Sequence, residues 1–287
     1  MTLGEAVQAA RGRLVAAGIA PDEAARDAEL LVRHALGWDR ATYLTRTREE
    51  VIACWHDAYA PLIERRARRE PVAYIRGLQE FWGRELLVSP AVLIPRPETE
   101  LVVEEAITWI GRRNASSGTL LVADVGTGSG CLAITLAAEC SDARVFATDI
   151  SAAALEVATA NARRHGVADR ITFLHGPYLE SLAESVSLIV ANPPYVAETD
   201  AHRLQPEIVA YEPHEALFGG TDGLRDVHAL LAGAAARLVE GGALIMEIGP
   251  GQAEDVRRAV SETPGLSLTG LRRDLQGIPR TAVMQRD

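Results

Sequence analysis

The chain is poor in cysteine, in long apolar runs and in excess basic charge, and each shortage removes a class of protein. Cys54, Cys131 and Cys140 form an odd set without metal-ligand spacing, so neither a disulfide framework nor a metal site is expected. They read as buried thiols in a reducing cytoplasm. No apolar run reaches the length of a membrane span, and Met1-Thr2-Leu3-Gly4-Glu5 lacks the charged-then-apolar layout of a signal peptide. A net charge of −10 gives no long-range attraction to nucleic acid. The expected protein is therefore cytoplasmic, with no membrane contact and no direct nucleic-acid partner. Internal repeats and low-complexity tracts are missing too. What is present, 287 residues with 48% hydrophobic and 24% charged side chains, suits one large or two smaller globular domains.

One stretch runs against the acidic balance. Glu64-Arg65-Arg66-Ala67-Arg68-Arg69-Glu70 packs four arginines into a short span. The favoured reading is the solvated end of a helix, where cations complement the macrodipole, rather than a phosphate patch.

Residues 1–70 read as a helical domain. Leu3, Ala6, Val7, Ala10, Leu14 and Val15 keep a helical stripe that Gly18 ends. Pro21 opens a second helix that stops near Gly37. Thr47-Arg48-Glu49-Glu50 resembles a capping box for a third, running through Ile52, Trp55, Leu62 and Ile63. Residues 71–97 form a bridge with a short hairpin at Phe81–Val88. A helix follows to about Arg113, then a loop at 114–118. From there to 287, strands at 119–125, 143–148, 171–174, 186–191 and 242–248 alternate with helices at 130–139, 151–165, 223–239 and 253–261. That alternation predicts a doubly wound parallel sheet, with strands near 266–272 and 280–285 as an antiparallel edge.

Two stretches at strand ends carry chemistry. Leu121-Val122-Ala123-Asp124-Val125 runs into Gly126-Thr127-Gly128-Ser129-Gly130, whose glycines let backbone approach a ligand. Asp149 ends the second strand, where an acid reaches ribose hydroxyls. Gly128-x-Gly130-x-x-Ala133 also fits a looser dinucleotide fingerprint, so the loop by itself leaves the cofactor open. The second stretch is Ser187-Leu188-Ile189-Val190-Ala191-Asn192-Pro193-Pro194-Tyr195. Its prolines fix two φ angles and stiffen the residues before them. The Asn192 side chain and nearby carbonyls then offer acceptors to the two N–H bonds of an amide or exocyclic amine. A dehydrogenase has no need of such a grip, whereas a methyltransferase acting on an NH2 group does, whether adenine N6 in DNA or RNA, cytosine N4 or a glutamine side chain. A non-catalytic S-adenosylmethionine-binding module is the alternative of a different class.

The flanking residues give a more specific likeness. Glu70-Pro71-Val72-Ala73-Tyr74-Ile75-Arg76-Gly77, Glu80-Phe81 and Val92-Leu93-Ile94-Pro95-Arg96-Pro97-Glu98-Thr99-Glu100 resemble the signature of the HemK/PrmC family. Tyr211-Glu212-Pro213, Ala216–Leu224 and Arg273–Arg280 resemble further family blocks, so the likeness runs from about residue 64 to 282. These are the glutamine N5-methyltransferases of peptide-chain release factors. The resemblance implies a class I S-adenosyl-L-methionine-dependent fold, a Rossmann-like doubly wound sheet behind a small N-terminal helical domain and hairpin bridge. It implies S-adenosyl-L-methionine on Gly126, Thr127, Gly128, Ser129, Gly130, Asp149, Tyr178 and Asn192, and release factors as protein substrate. The family often places an acid and an aromatic after the third strand. Here His175-Gly176-Pro177-Tyr178 offers only Tyr178, either as an adenine face or as packing.

On this reading the glutamine nitrogen attacks the sulfonium methyl. Asn192 and Pro193 hold its N–H bonds, and Tyr195 packs on the amide plane beside Pro194. No histidine is called for: His165, His202 and His214 are expected at the surface or in packing. Asn192→Asp is expected to retain more activity than Asn192→Ala.

Overall fold

Thr2 opens the first helix with a reciprocal cap. Its hydroxyl accepts from the Glu5 N–H at 3.3 Å, and the Glu5 carboxylate accepts from the Thr2 N–H at 2.9 Å. The computed structural model describes residues 1–50, 53–112 and 119–287. The chain divides into two compact units. The first comprises Met1–Leu78 with Gln205–Tyr211, the second Gln79–Leu204 with Glu212–Asp287.

In the first unit α1 (Leu3–Ala16), α2 (Pro21–Leu36), α3 (Arg40–Arg46), α4 (Ala53–Ala67) and α5 (Val72–Arg76) enclose a core of Leu3, Leu14, Ile19, Leu31, Ile63 and Ile75. Pro21 and Gly37 bound α2 as predicted, with Gly37 left-handed at φ 65°. Thr47 does not open the third predicted helix. It closes α3, a helix the sequence reading missed, which Asp39 caps by accepting from the Thr42 N–H at 2.7 Å. Ile52, the side chain of Trp55 and the loop at 114–118 lie outside what is described.

The arginine run is not a solvated helix end. Arg66 is only 2% exposed. Its guanidinium donates to Asp27 and Glu23, both at 2.6 Å, and to Glu207 at 3.1 Å. Glu207 lies on the short Pro206–Tyr211 helix (α9 in chain order) and also accepts from Arg69 at 2.5 Å. Arg65 pairs with Glu70 at 2.6 Å, leaving Arg68 as the exposed member. The expectation failed because the carboxylates arrive from other elements and draw the cations inward.

The second unit starts at Gln79, within a hairpin of β1 (Leu78–Phe81) and β2 (Arg84–Leu87) that turns at Trp82 and Gly83 with φ 52° and 70°. After α6 (Glu100–Gly111) come β3 (Leu120–Val125), α7 (Cys131–Glu139), β4 (Ala143–Asp149), α8 (Ala152–Arg164), β5 (Ile171–His175) and β6 (Val186–Ala191). Then follow α10 (Arg225–Arg237), β7 (Leu238–Glu247), α11 (Ala253–Ser261), β8 (Leu266–Arg273) and β9 (Pro279–Arg286). The sheet order is β5-β4-β3-β6-β7-β9-β8, parallel through β7 and antiparallel at β9 and β8. The doubly wound sheet and its antiparallel edge are as predicted. β7 starts four residues before its predicted 242, because Gly241 (φ 71°) and Gly242 sit in a register shift rather than ending the strand.

Alternate residues explain the layering. Val122, Leu188, Val190 and Ile245 pack with α6 and α7 on one face; Ala123, Ile189, Leu244 and Met246 pack with α10 and α11 on the other. Strand order reverses between β3 and β6, and it is at such a reversal that an open sheet leaves a crevice for a ligand.

Candidate active site

That crevice holds a cavity of about 320 Å³, lined at the carboxyl ends of β3, β4, β5 and β6. Its wall carries Asp124, Asp149, Glu215 and Asp226 against one cation, Arg225, so it favours a positively charged ligand.

The loop after β3 is built as a floor. Gly126 and Gly128 are left-handed, at φ 70° and 54°. Gly130 has a different job: a Cβ there would come within 2.8 Å of Ile134 Cδ1 and 3.2 Å of Ala158 Cβ, so it lets α7 and α8 approach. Asn161 on α8, fully buried, donates to the Ser129 and Leu87 carbonyls at 2.9 Å and so ties the loop to the hairpin. Asp149 accepts from the Gly128 and Ser151 N–H groups, both at 2.9 Å. Burial pushes its carboxyl up, and those backbone bonds pull it back. A carboxylate has about four acceptor sites, so both oxygens keep capacity for ligand hydroxyls.

Asp124, at the end of β3, is 1% exposed. One oxygen accepts from Thr127 Oγ1 at 2.6 Å and from the Ala133 N–H at 3.0 Å. Its Oδ1, like the Ser129 Oγ, is buried in the cavity wall with no hydrogen-bond partner among the described residues. Burial pushes the Asp124 carboxyl up to about 7. Orphaned acceptors in an acidic wall fit a ligand with ammonium or sulfonium charge and hydroxyls. S-adenosyl-L-methionine has both.

Tyr178 lines the cavity in a left-handed conformation, φ 48°. Its carbonyl accepts from Thr148 Oγ1 at 2.7 Å, and its hydroxyl donates to Asp226 Oδ1 at 2.8 Å. Asp226, in the first turn of α10, therefore brings a carboxylate to the wall where Pro177 brings none. Nothing in the spacing of the sequence links positions 178 and 226.

At the end of β6, Asn192, Pro193 and Pro194 line the cavity. Asn192 Nδ2 donates to Thr99 Oγ1 at 3.0 Å, and Thr99 Oγ1 donates to Glu247 Oε2 at 2.6 Å. Tyr195 is not brought into the cavity wall. Its phenol lies beside Glu247, where burial and that carboxylate push it well above the usual tyrosine range. Its carbonyl accepts from Gln252 Nε2 at 3.1 Å, and the same nitrogen donates to the Gly223 carbonyl at 3.1 Å. Gly219 passes under Pro194: a Cβ there would lie 2.4 Å from the Pro194 carbonyl oxygen. The 216–224 block is thus the backing of the Asn192–Tyr195 loop. His165, His202 and His214 lie off the cavity, the first two against the Glu85 and Thr199 carbonyls and the third edge-on to Phe218.

The structure therefore gathers Gly126, Thr127, Gly128, Ser129, Asp149, Tyr178, Asn192, Pro193 and Pro194 around one cavity, with Gly130 and Tyr195 outside its lining. Sequence reading gave no role to Asp124, Thr99, Glu247 or Asp226. The signal available for Asp124 was its place immediately before the glycines; for the others only tertiary contact reveals them.

Comparison with known proteins adds a second line. Residues 5–77 match the PrmC N-terminal domain and residues 114–221 the methyltransferase small domain. The chain is 43% identical over 258 residues to the release factor glutamine methyltransferase of Xylella fastidiosa (strain Temecula1), covering 90% of this chain and 91% of that protein. Its identity to the protein of the same name from Nitratidesulfovibrio vulgaris is 39% over 289 residues, covering 100% and 96%. Among solved structures, the hMettl16 catalytic domain in complex with MAT2A 3′UTR hairpin 6 is similar at TM-score 0.57 and 16% identity, over 75% of this chain and 80% of that one. A methyltransferase from Pyrococcus furiosus is similar at TM-score 0.51 and 15% identity, over 80% and 98%. The fold is the class I S-adenosyl-L-methionine-dependent methyltransferase fold, as predicted.

Proposed function

The chain belongs to the release factor glutamine methyltransferase family, and from that premise we propose that it methylates the side-chain amide nitrogen of the glutamine in the GGQ motif of peptide-chain release factors. The cofactor of the family is S-adenosyl-L-methionine, which when bound supplies an electrophilic methyl on a sulfonium. Asp149 would hold the ribose hydroxyls, Asp124 the positive end, and Tyr178 with Asp226 the adenine end.

An amide nitrogen is a poor nucleophile because its lone pair is delocalised. Asn192 Oδ1 and the Pro193 carbonyl would accept its two N–H bonds and turn its lone-pair face toward the methyl. Such positioning is worth up to about 7–11 kcal/mol of barrier. Acceptors also gain strength as positive charge grows on nitrogen, until one proton leaves to water. Tyr195 would act by holding the loop from behind rather than by touching the amide.

The observation that carries this reading is the cavity itself: an acidic, glycine-floored crevice that ends at Asn192 with one edge of its amide already engaged. We assign residues 98–287 to methyl transfer, and 1–70 with the bridge 71–97 to reading the surface of the release factor. Among the described residues no helix is long and apolar enough to cross a membrane, and this reading puts the reaction in the cytoplasm. The test is transfer of labelled methyl from S-adenosyl-L-methionine to purified release factor, located by peptide mass spectrometry. One methyl on the glutamine amide is expected; label entering DNA or RNA instead would overturn the reading.

A further inference from the structure

Thr99 stands between two strand ends. Ala191 and Met246 are paired neighbours in β6 and β7, so Asn192 and Glu247 lie side by side where those strands finish. The Thr99 hydroxyl reaches both, at 3.0 Å from Asn192 Nδ2 and 2.6 Å from Glu247 Oε2. Thr99 is 1% exposed and Glu247 fully buried. Thr99 also occupies the N-cap position of α6, where a threonine hydroxyl ordinarily bonds a backbone N–H of the first turn. It makes no such bond. The hydroxyl is spent on the two side chains and not on the helix.

A hydroxyl has one hydrogen, and an ionised carboxylate can only accept. With that hydrogen on Glu247, the Thr99 oxygen can only accept in turn, so the Asn192 edge facing it must be the NH2. Asn192 Oδ1 then takes the opposite edge, where it meets no donor among the described residues. A flipped amide would set Oδ1 against the Thr99 oxygen with no hydrogen between them. It would also present an NH2 group to a substrate NH2, donor against donor. Burial raises the Glu247 carboxyl above its ordinary range, and the Thr99 hydroxyl, Arg280 and the Tyr195 phenol offset only part of that rise.

We propose that Thr99 is a positioning residue for methyl transfer: committed to Glu247, its hydroxyl locks the Asn192 amide with Oδ1 turned toward the substrate nitrogen. This rests on the reading of the site as a glutamine methyltransferase.

The test is a double-mutant cycle on the full chain, with kcat and KM for release factor, S-adenosylhomocysteine affinity and melting temperature measured on each preparation. Thr99→Val should lower kcat by about a hundredfold, the scale of a misaligned reacting group. KM and S-adenosylhomocysteine affinity should stay within about threefold, and Thr99→Ser should recover most of the lost kcat. In the Asn192→Ala background, Thr99→Val should change kcat by less than about twofold, because the amide it orients is gone. Glu247→Gln preserves shape and serves if Thr99→Val does not fold. Its amide can donate to Thr99, freeing the hydroxyl to hold the flipped Asn192, so kcat should fall about tenfold, again only while Asn192 is present. Equal losses with and without Asn192, or undiminished kcat in Thr99→Val, would overturn the proposal. A wild-type chain inert toward release factor is a separate result, seen before any variant is made, and it removes the underlying reading as well.

Discussion

Gly223 lies so close beneath Tyr195 that a Cβ on it would come within 2.3 Å of the Tyr195 carbonyl oxygen. Gly223 is also left-handed, at φ 77°. Gly223→Ala therefore meets backbone it cannot displace cheaply and a conformation it disfavours. The Asn192–Tyr195 loop should shift, with turnover on release factor falling about a hundredfold. S-adenosylhomocysteine affinity, set mainly by the β3 and β4 loops, should change much less. Parallel turnover and calorimetry check the split.

Asn192→Ala should cost about a hundredfold in turnover through lost alignment, with the chain still folded. The geometry reverses the expectation for Asn192→Asp. Its second oxygen would face the Thr99 oxygen, whose one hydrogen serves Glu247, so two carboxylates would compete for a single hydroxyl. Asn192→Asp should be no better than Asn192→Ala at neutral pH and should gain activity as pH falls. Turnover against pH for the two variants decides this.

The Asp124 carboxyl, raised by burial to about 7, sets a pH dependence. Its folded value lies above its unfolded one, so protonation favours the folded, ligand-free chain. That contribution is fully present below about pH 4 and is lost as pH rises through about 7. A cationic ligand favours the ionised form, so S-adenosyl-L-methionine affinity should climb from about pH 6 to about pH 8, by at most tenfold per unit. Asp124→Asn should flatten the profile in calorimetry. A wild-type affinity constant over that range would show that Asp124 does not face the cation.

Arg66→Met removes the shared partner of three carboxylates, Glu23, Asp27 and Glu207. Breaking a buried ion pair from one side costs about 3–5 kcal/mol, and the variant should melt several degrees lower. Glu207→Gln should cost less, since Arg66 retains Asp27 and Glu23. Thermal unfolding of both variants ranks them.

A chain lacking residues 1–70 would strand Glu207, so the fair version carries Glu207→Gln as well. It should bind S-adenosylhomocysteine normally yet lose methylation of intact release factor. Full activity on the intact substrate would sink the assignment of 1–70 to recognition.

Strands buried on both faces announced themselves as short apolar runs closed by glycine, asparagine or aspartate, which is why the sheet was legible in the residues. The two loops that carry the cavity were legible too, because backbone that must bend or stiffen demands glycine or proline. Helices of seven residues or fewer were not. α3 and α9 have too few turns for periodicity to register, and α5 hid in a stretch read as bridge. Nor were roles that depend on distant partners. Thr99 carries no role until Glu247, 148 positions away, takes its hydrogen. Arg66 reads as one of four surface cations until Asp27, Glu23 and Glu207 are found around it.

Arg66 and Glu207 are 141 residues apart in the chain, and this separation sets a clock on biosynthesis. At about 5–20 residues per second, the ribosome adds Glu207 on the order of ten seconds after Arg66. Through that interval the guanidinium has two of its three carboxylates, Asp27 and Glu23, and the Glu207 pair is the last to close. A chimaera joined at residue 78 would leave Glu207 behind and that pair unmade. Exchange of this unit between relatives therefore requires two cuts in the gene, the second around codons 205–211.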